Sequence, residues 1–109
     1  MLKIKVEKKE KDVVKLEAKG HAGYAEYGKD IVCSAASAII QTALLGIKDV
    51  DPLNVEYVVD DKKGYLLFTV GEPDGEENRI KQQAILRAMI LGLRDLESGY
   101  GSMIKLEVK

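Results

Sequence analysis

Residues 31–47, with the sequence IVCSAASAIIQTALLGI, form the longest uncharged run of the chain. Its length falls just short of the roughly 20 apolar residues that a membrane-spanning helix needs. Serine, glutamine and threonine interrupt the run, and its alanines favour a helix packed on several sides by protein. The stretch therefore predicts a buried helix in a globular domain. Since one small domain can hardly surround such a helix, we also predict that part of it meets a second subunit in a homodimer.

The segments around this helix have the patterns of strands and of one further helix. Five segments are typical of half-buried strands, and they cover residues 2–7, 14–19, 55–59, 65–70 and 104–108. An apolar stripe at spacings of three and four predicts a second helix from about Glu76 to Glu97, with Gly99 and Gly101 ending it. The element order ββαββαβ predicts a two-layer α+β fold with a five-stranded, mostly antiparallel sheet and two main helices.

Composition and charge narrow the class of protein. The chain has 109 residues, 46% of them hydrophobic, which fits one domain over 1–109 with a core of its own. Its 17 basic and 18 acidic residues leave a formal charge of -1, so we expect no direct contact with nucleic acid. A single cysteine suits a reducing cytosol, and the first residues contain no signal-peptide stretch. We therefore expect a cytoplasmic protein without a membrane partner.

The connection between the second strand and the buried helix, residues 20–30 (GHAGYAEYGKD), is long for its position. Its glycines make it costly to order, and its tyrosines offer aromatic surface for stacking or for packing within the loop. These residues are Gly20, Gly23, Tyr24, Tyr27 and Gly28. Loops of this kind often carry function, so we treat the segment as a candidate substrate loop.

Cys33, the only cysteine, follows this loop, and His21, the only histidine, opens it. If Asp30 is the N-cap, Cys33 lies at N3, where unpaired backbone N–H groups and the positive helix end favour a thiolate. A nearby imidazolium adds up to about 4 kcal/mol at about 4 Å and an effective dielectric near 20. The pair is therefore a candidate nucleophile and base, with the N–H groups of Cys33 and Ser34 as oxyanion donors. Asp30 is a helix cap or, alternatively, orients the imidazole.

The same residues also have simpler explanations. A lone cysteine usually fills space in a core, and a lone histidine often satisfies a local hydrogen bond. One cysteine, one histidine and scattered carboxylates do not match a zinc-binding spacing, so we expect no metal and no cofactor.

The residues Gly20-His21-Ala22, Tyr24, Gly28 and 30–35 (DIVCSA) closely resemble the signature of the bacterial ribosomal-processing cysteine proteases, the Prp family. Length and element order are similar too. The resemblance implies that His21 and Cys33 are the catalytic dyad and that Asp30 is a signature acid. It also implies a cytoplasmic homodimer that removes a short N-terminal extension from a large-subunit ribosomal protein, cutting after paired aromatic residues.

The substrate of such an enzyme is expected to lie across the glycine loop and to pair with a sheet edge, its aromatic residues near Tyr24 or Tyr27. Two alternatives belong to other classes of protein. One is a non-catalytic ribosome-associated or peptide-binding module in which Cys33 is structural, and the other is a redox sensor that uses Cys33 alone.

Overall fold

The computed structural model describes residues 1–20 and 27–109, with the backbone alone for residues 27–30. The strands are β1 (Leu2–Lys9), β2 (Asp12–Lys19), β3 (Val55–Asp60), β4 (Tyr65–Val70) and β5 (Ile104–Val108). The helices are α1 (Tyr27–Val50) and α2 (Glu76–Tyr100), and a short 3₁₀ helix covers Pro52–Asn54. The predicted order ββαββαβ is confirmed, and the 3₁₀ helix is the one addition to it in the described part of the chain.

The strands form one sheet in the order β3-β4-β2-β1-β5. Three neighbouring pairs are antiparallel, whereas β5 runs parallel to β1. The chain reaches β5 through α2, and such a crossover is what a parallel neighbour requires. The predicted five-stranded, mostly antiparallel sheet with two main helices is therefore confirmed.

Both helices cover the same face of the sheet. Alternate residues of each strand point from that face into the core. Leu2, Ile4 and Val6 of β1 are buried while the charged residues between them are exposed, as the alternation predicts. Large buried side chains come from the sheet and from both helices: Phe68, Leu16, Ile40, Ile47, Leu86 and Leu93. This core fixes α1 above the sheet, which decides where Cys33 lies.

The burial of α1 is limited to one side of the helix. Val32, Ala36 and Ile40 are at most 2% exposed, whereas Ile31 and Leu45 on the opposite side are 66% and 65% exposed. The segment from Ile31 to Val50 is long and apolar enough to cross a membrane by length and composition, but the core helix of a globular protein passes the same test. The expectation of a helix packed on several sides therefore holds for its inner face only.

The predicted start of α1 is wrong, and the predicted end of α2 is right in part. α1 begins at Tyr27 rather than after Asp30. α2 continues through Gly99 to Tyr100, and Gly101 caps its end as predicted. A glycine inside a helix costs about 1 kcal/mol relative to alanine, which the packing of a long helix easily exceeds.

The helices approach each other closely at two glycines. A Cβ atom on Gly92 of α2 would lie 3.6 Å from the side chain of Ile39, at ordinary contact distance. A Cβ atom on Gly46 of α1 would lie 3.2 Å from Cδ1 of Ile85, which is tight. The two positions therefore differ in the room that they leave for a methyl group.

Alanine at Gly92 is expected to raise the free energy of unfolding by about 0.5–1 kcal/mol, because it lowers the entropy of the unfolded chain. Gly46→Ala is the matched control and should gain less, since Ile85 must shift to admit the new methyl group. Urea denaturation of both variants measures the difference. A Gly92→Ala protein that is less stable than the unchanged chain contradicts the 3.6 Å spacing between Gly92 and Ile39.

Candidate active site

A cleft of about 450 Å³ opens between the first half of α1 and the end of the sheet where β2 stops and β4 begins. The helix contributes Cys33, Ser34, Ser37 and Ala38 to its lining. Much of the sheet side is apolar, with Leu2, Ala18, Val59 and Leu66. A mostly apolar cleft with a few polar groups is the usual form of a ligand site.

Cys33 lies in the second turn of α1, half-buried, with its side chain packed against the edge of the core and facing the cleft. Because the core holds the helix along its inner face, the backbone of Cys33 has a fixed position beside the cleft. A nucleophile on a rigid element is positioned more precisely than one on a loop.

The observed start of α1 overturns the predicted capping scheme. Asp30 lies within the first turn and is not the N-cap, so Cys33 is not at N3. Inside a helix, the N–H groups of Cys33 and Ser34 donate to carbonyls four residues earlier rather than to a bound oxyanion. The observed helix start thus argues against these two amides as oxyanion donors, and their role stays a prediction. An acid in the first turn is still favoured by the positive helix end.

Gly20 ends β2 and leads directly into the segment that begins with His21. Its N–H donates to the carbonyl of Gly64 at 2.9 Å, which extends the pairing of β2 with β4 by one residue. Its φ is +94°, and a Cβ atom there would lie 2.7 Å from the carbonyl oxygen of Met1. Position 20 therefore requires glycine for two reasons: the backbone conformation and the lack of space for a Cβ atom. Gly20 also lines the cleft.

The predicted site residues divide into three groups. Gly20, Cys33 and Ser34 line one cleft and are brought together by the fold. His21, Gly23 and Tyr24 lie outside the described residues. The backbone of Tyr27, Gly28 and Asp30 belongs to α1, so the prediction that these three residues form part of a loop is wrong.

Several polar residues of the cleft were not predicted as site residues. Ser37 accepts a hydrogen bond at 2.8 Å from Nε2 of Gln41, one turn further along α1. Both residues line the cleft, and with Cys33 they share one helix face. The spacing of four residues between Cys33, Ser37 and Gln41 was the signal that could have found this polar stripe.

Tyr65 lines the sheet side of the cleft and donates a hydrogen bond to Oε2 of Glu17 at 2.9 Å. This bond raises the pKa of Tyr65, and partial burial and the negative charge of Glu17 act in the same direction. The phenol therefore stays protonated at neutral pH and bridges β4 to β2.

The Glu17→Gln substitution is expected to lower the pKa of Tyr65, because the charge that opposes phenolate formation is gone. The folded chain holds this proton more tightly than the unfolded chain. The stability that the Tyr65–Glu17 hydrogen bond adds is therefore fully present below the ordinary tyrosine pKa. It is lost as the pH rises through the raised pKa of Tyr65. Absorbance titration of each protein against its own Tyr65→Phe partner isolates this phenol. An unchanged midpoint would show that the hydrogen bond is not formed in solution.

Among the side chains that the structure describes, those of residues 1–20 and 31–109, no three of His, Cys, Asp or Glu lie together as a metal-binding group. Besides its apolar floor, the described cleft offers a thiol, hydroxyl groups, the amide of Gln41 and the carboxyl group of Asp61.

Comparison with known proteins identifies the family. A family model described as "Cysteine protease Prp" matches residues 1–105. The chain belongs to the Prp family of cysteine proteases. It is 28% identical over 100 residues to the ribosomal processing cysteine protease Prp of Bacillus subtilis (strain 168), covering 89% of this chain and 87% of the relative. It is 36% identical over 93 residues to the Prp of Staphylococcus aureus (strain Mu50), covering 83% and 81%.

Solved Prp structures have the same fold. The chain is similar to the Prp of S. aureus in complex with a substrate peptide, with a TM-score of 0.83, 27% identity and full coverage of both chains. The S. aureus protein with a covalently linked product peptide gives the same values. SMU.848 from Streptococcus mutans shares the fold at a TM-score of 0.84 and 22% identity, over 99% of this chain and 93% of that one. The chain is, by family, a cysteine protease.

Proposed function

We propose that the chain is a ribosomal-processing endopeptidase with Cys33 as nucleophile. One observation carries the proposal: a cysteine protease needs a thiolate, and the sole cysteine of the sequence lines the apolar cleft described above. The rigid helix beneath Cys33 supports this role, because attack requires the sulfur to be held near the scissile carbonyl.

His21 is the proposed general base and acid. It is the only histidine of the sequence and is bonded to Gly20, which lines the same cleft as Cys33. The hydrogen bond from Gly20 to Gly64 holds the start of the segment that carries the imidazole. Asp30 is on the helix that carries Cys33, and we assign it a supporting role in orienting the imidazolium.

The proposed reaction has two steps. His21 takes the thiol proton, and Sγ of Cys33 forms a bond to the scissile carbonyl carbon while the peptide C–N bond breaks. The leaving amine receives the proton from His21. In the second step His21 removes a proton from water, and the hydroxide bonds to the thioester carbon while the C–S bond breaks. The released carboxylic acid gives its proton to solvent, and the thiolate of Cys33 and the imidazolium of His21 are left.

The proposed substrate is the N-terminal extension of a large-subunit ribosomal protein, met in the cytoplasm. The Bacillus and Staphylococcus relatives are named for ribosomal processing, and the Staphylococcus enzyme binds a substrate peptide.

We further propose that the chain forms a single domain and that two copies form a homodimer. Ile31 and Leu45 leave exposed apolar surface on α1 that a second copy can cover.

Cleavage of a peptide copying such an extension tests the proposal. The unchanged protein should cut it, and Cys33→Ala and His21→Ala should each lower kcat/KM at least about 1,000-fold. Ser34→Ala is the matched control on the same helix and should keep its activity, since its hydroxyl has no assigned task.

Mass spectrometry of the quenched reaction adds a direct readout. A peptide fragment attached to Cys33 as a thioester is expected during turnover. Binding without cutting favours the peptide-binding module instead, and equal cutting by all variants defeats the assignment of the dyad.

A further inference from the structure

The two edges of the sheet are unlike each other. β5 forms one edge, and the N–H of Leu106 at its middle donates to Oε2 of Glu97 on α2 at 2.6 Å. β3 forms the other edge, and none of the described side chains, those of residues 1–20 and 31–109, hydrogen bonds to its outward backbone groups. Such an unpaired edge is a template for another extended chain.

The register of β3 and β4 identifies the groups that face outwards. The N–H of Gly71 donates to the carbonyl of Asn54 at 2.8 Å, so these opposed residues form a hydrogen-bonded pair. Bonded and non-bonded pairs alternate along an antiparallel ladder. Counting along β3 from Asn54, the backbone of Tyr57 and of Val59 therefore turns its N–H and C=O away from β4.

This edge runs into the cleft that holds Cys33. Val59 lines the cleft, and so does Leu66, which lies directly opposite it on β4. A peptide that pairs with the backbone of Val59 therefore reaches the rim of the cleft that Cys33 also lines.

The side chains along the same edge form a shallow apolar surface. Tyr57 and Val59 share the helix-covered face of the sheet with their partners Phe68 and Leu66, yet they are 49% and 41% exposed. Lys48 of α1 donates to the hydroxyl of Tyr57 at 3.0 Å and lies 4.2 Å from its ring centre, which limits the positions of the ring. The part-exposed side chains of Tyr57 and Val59 beside α1, here called the groove, are thus available to every second side chain of an added strand.

We propose that the substrate binds as a sixth strand on the open edge of β3, through the outward backbone groups of Tyr57 and Val59. This rests on the proposed protease function. Main-chain hydrogen bonds supply affinity for any sequence, while alternate substrate side chains enter the groove and supply specificity. The capped edge at β5 and the position of the cleft at the end of β3 select this edge over the other.

Backbone-modified substrates test the proposal with the unchanged protein. Peptides that carry a single N-methyl group are compared for kcat/KM, position by position. Two positions separated by one residue are expected to lose about tenfold each, through KM, because each loses a hydrogen bond and its methyl group blocks the pairing. An N-methyl group at the position between them should leave kcat/KM unchanged.

Proline substitutions test the protein side of the same bonds. Val59→Pro removes the outward N–H and leaves the bonds to β4 in place, as proline on an edge strand allows. Its kcat/KM is expected to fall about tenfold below that of Val59→Ala, which removes the side chain but keeps the N–H. Val108→Pro on β5 is the control at the other edge and should act like the unchanged protein. Thermal unfolding confirms that each variant is folded.

The outcomes separate this proposal from the protease assignment. If the protein cuts the peptide but tolerates N-methyl groups everywhere, or if Val59→Pro equals Val59→Ala, binding at β3 is wrong and the protease function stands. If no peptide is cut, calorimetry measures the affinity of the same modified peptides for the protein instead. An affinity that falls at alternate positions supports binding at β3, and an equal affinity at all positions overturns it.

Discussion

Alanine in place of Gly20 is expected to lower kcat/KM for peptide cleavage about 100-fold and to destabilise the fold by about 2–4 kcal/mol. The new Cβ atom would lie 2.7 Å from the carbonyl oxygen of Met1, in a backbone conformation with φ at +94°. The chain must therefore move at the point where β2 ends. Because His21 is the next residue, that movement displaces the proposed base, and a misplacement of about 1 Å can cost about 100-fold in rate.

Gly75 provides the matched control for Gly20. Its φ is +93°, but a Cβ atom there would meet nothing within 4 Å, and it precedes α2 away from the cleft. Gly75→Ala should lower stability by about 1–2 kcal/mol and leave kcat/KM unchanged. Urea denaturation and the cleavage assay measure both effects. A Gly20→Ala protein with full activity would show that the position of this residue does not matter to the reaction.

Removal of the Asp51 carboxylate is expected to destabilise the fold by about 2–4 kcal/mol. The residue is 4% exposed and accepts two hydrogen bonds, from Nδ2 of Asn54 at 3.0 Å and from the N–H of Asp74 at 2.9 Å. It thereby ties the end of α1 to the loop between β4 and α2. Asp51→Ala leaves both donors without this partner, in a place where water has little access.

Asp49→Ala is the control for Asp51→Ala, since Asp49 is exposed two residues earlier on α1. Its effect on the free energy of unfolding should stay within about 0.5 kcal/mol. Asp51→Asn should fall between the two, because the amide keeps one acceptor oxygen of similar shape. Midpoints and slopes of urea unfolding measure all three. Equal stability of the Asp49 and Asp51 variants would contradict the bridging role.

The sequence was most informative where elements are half exposed. β1 and β4 were predicted well because their burial alternates, and this alternation is visible in the sequence itself. The strand order, with β1 parallel to β5, depends on pairing between distant segments, and no local pattern contains that information.

The candidate site shows the same division between local and distant information. Cys33 was identified because a single cysteine at the start of an apolar helix is a local feature. Tyr65 was missed because it reaches the cleft only through the pairing of β4 with β2, across 48 positions from Glu17. The start of α1 was misplaced because Gly28 is a poor helix former whose cost is outweighed by the packing of the whole helix.

The hydrogen bond from Leu106 to Glu97 has a consequence for how the molecules behave when concentrated. Growth of an endless fibre by edge-to-edge pairing requires two free edge strands on every molecule. Because Glu97 of the same chain occupies the β5 edge, a second copy that pairs with the β3 edge leaves no free edge for a third. Self-association by this route therefore stops at a closed pair.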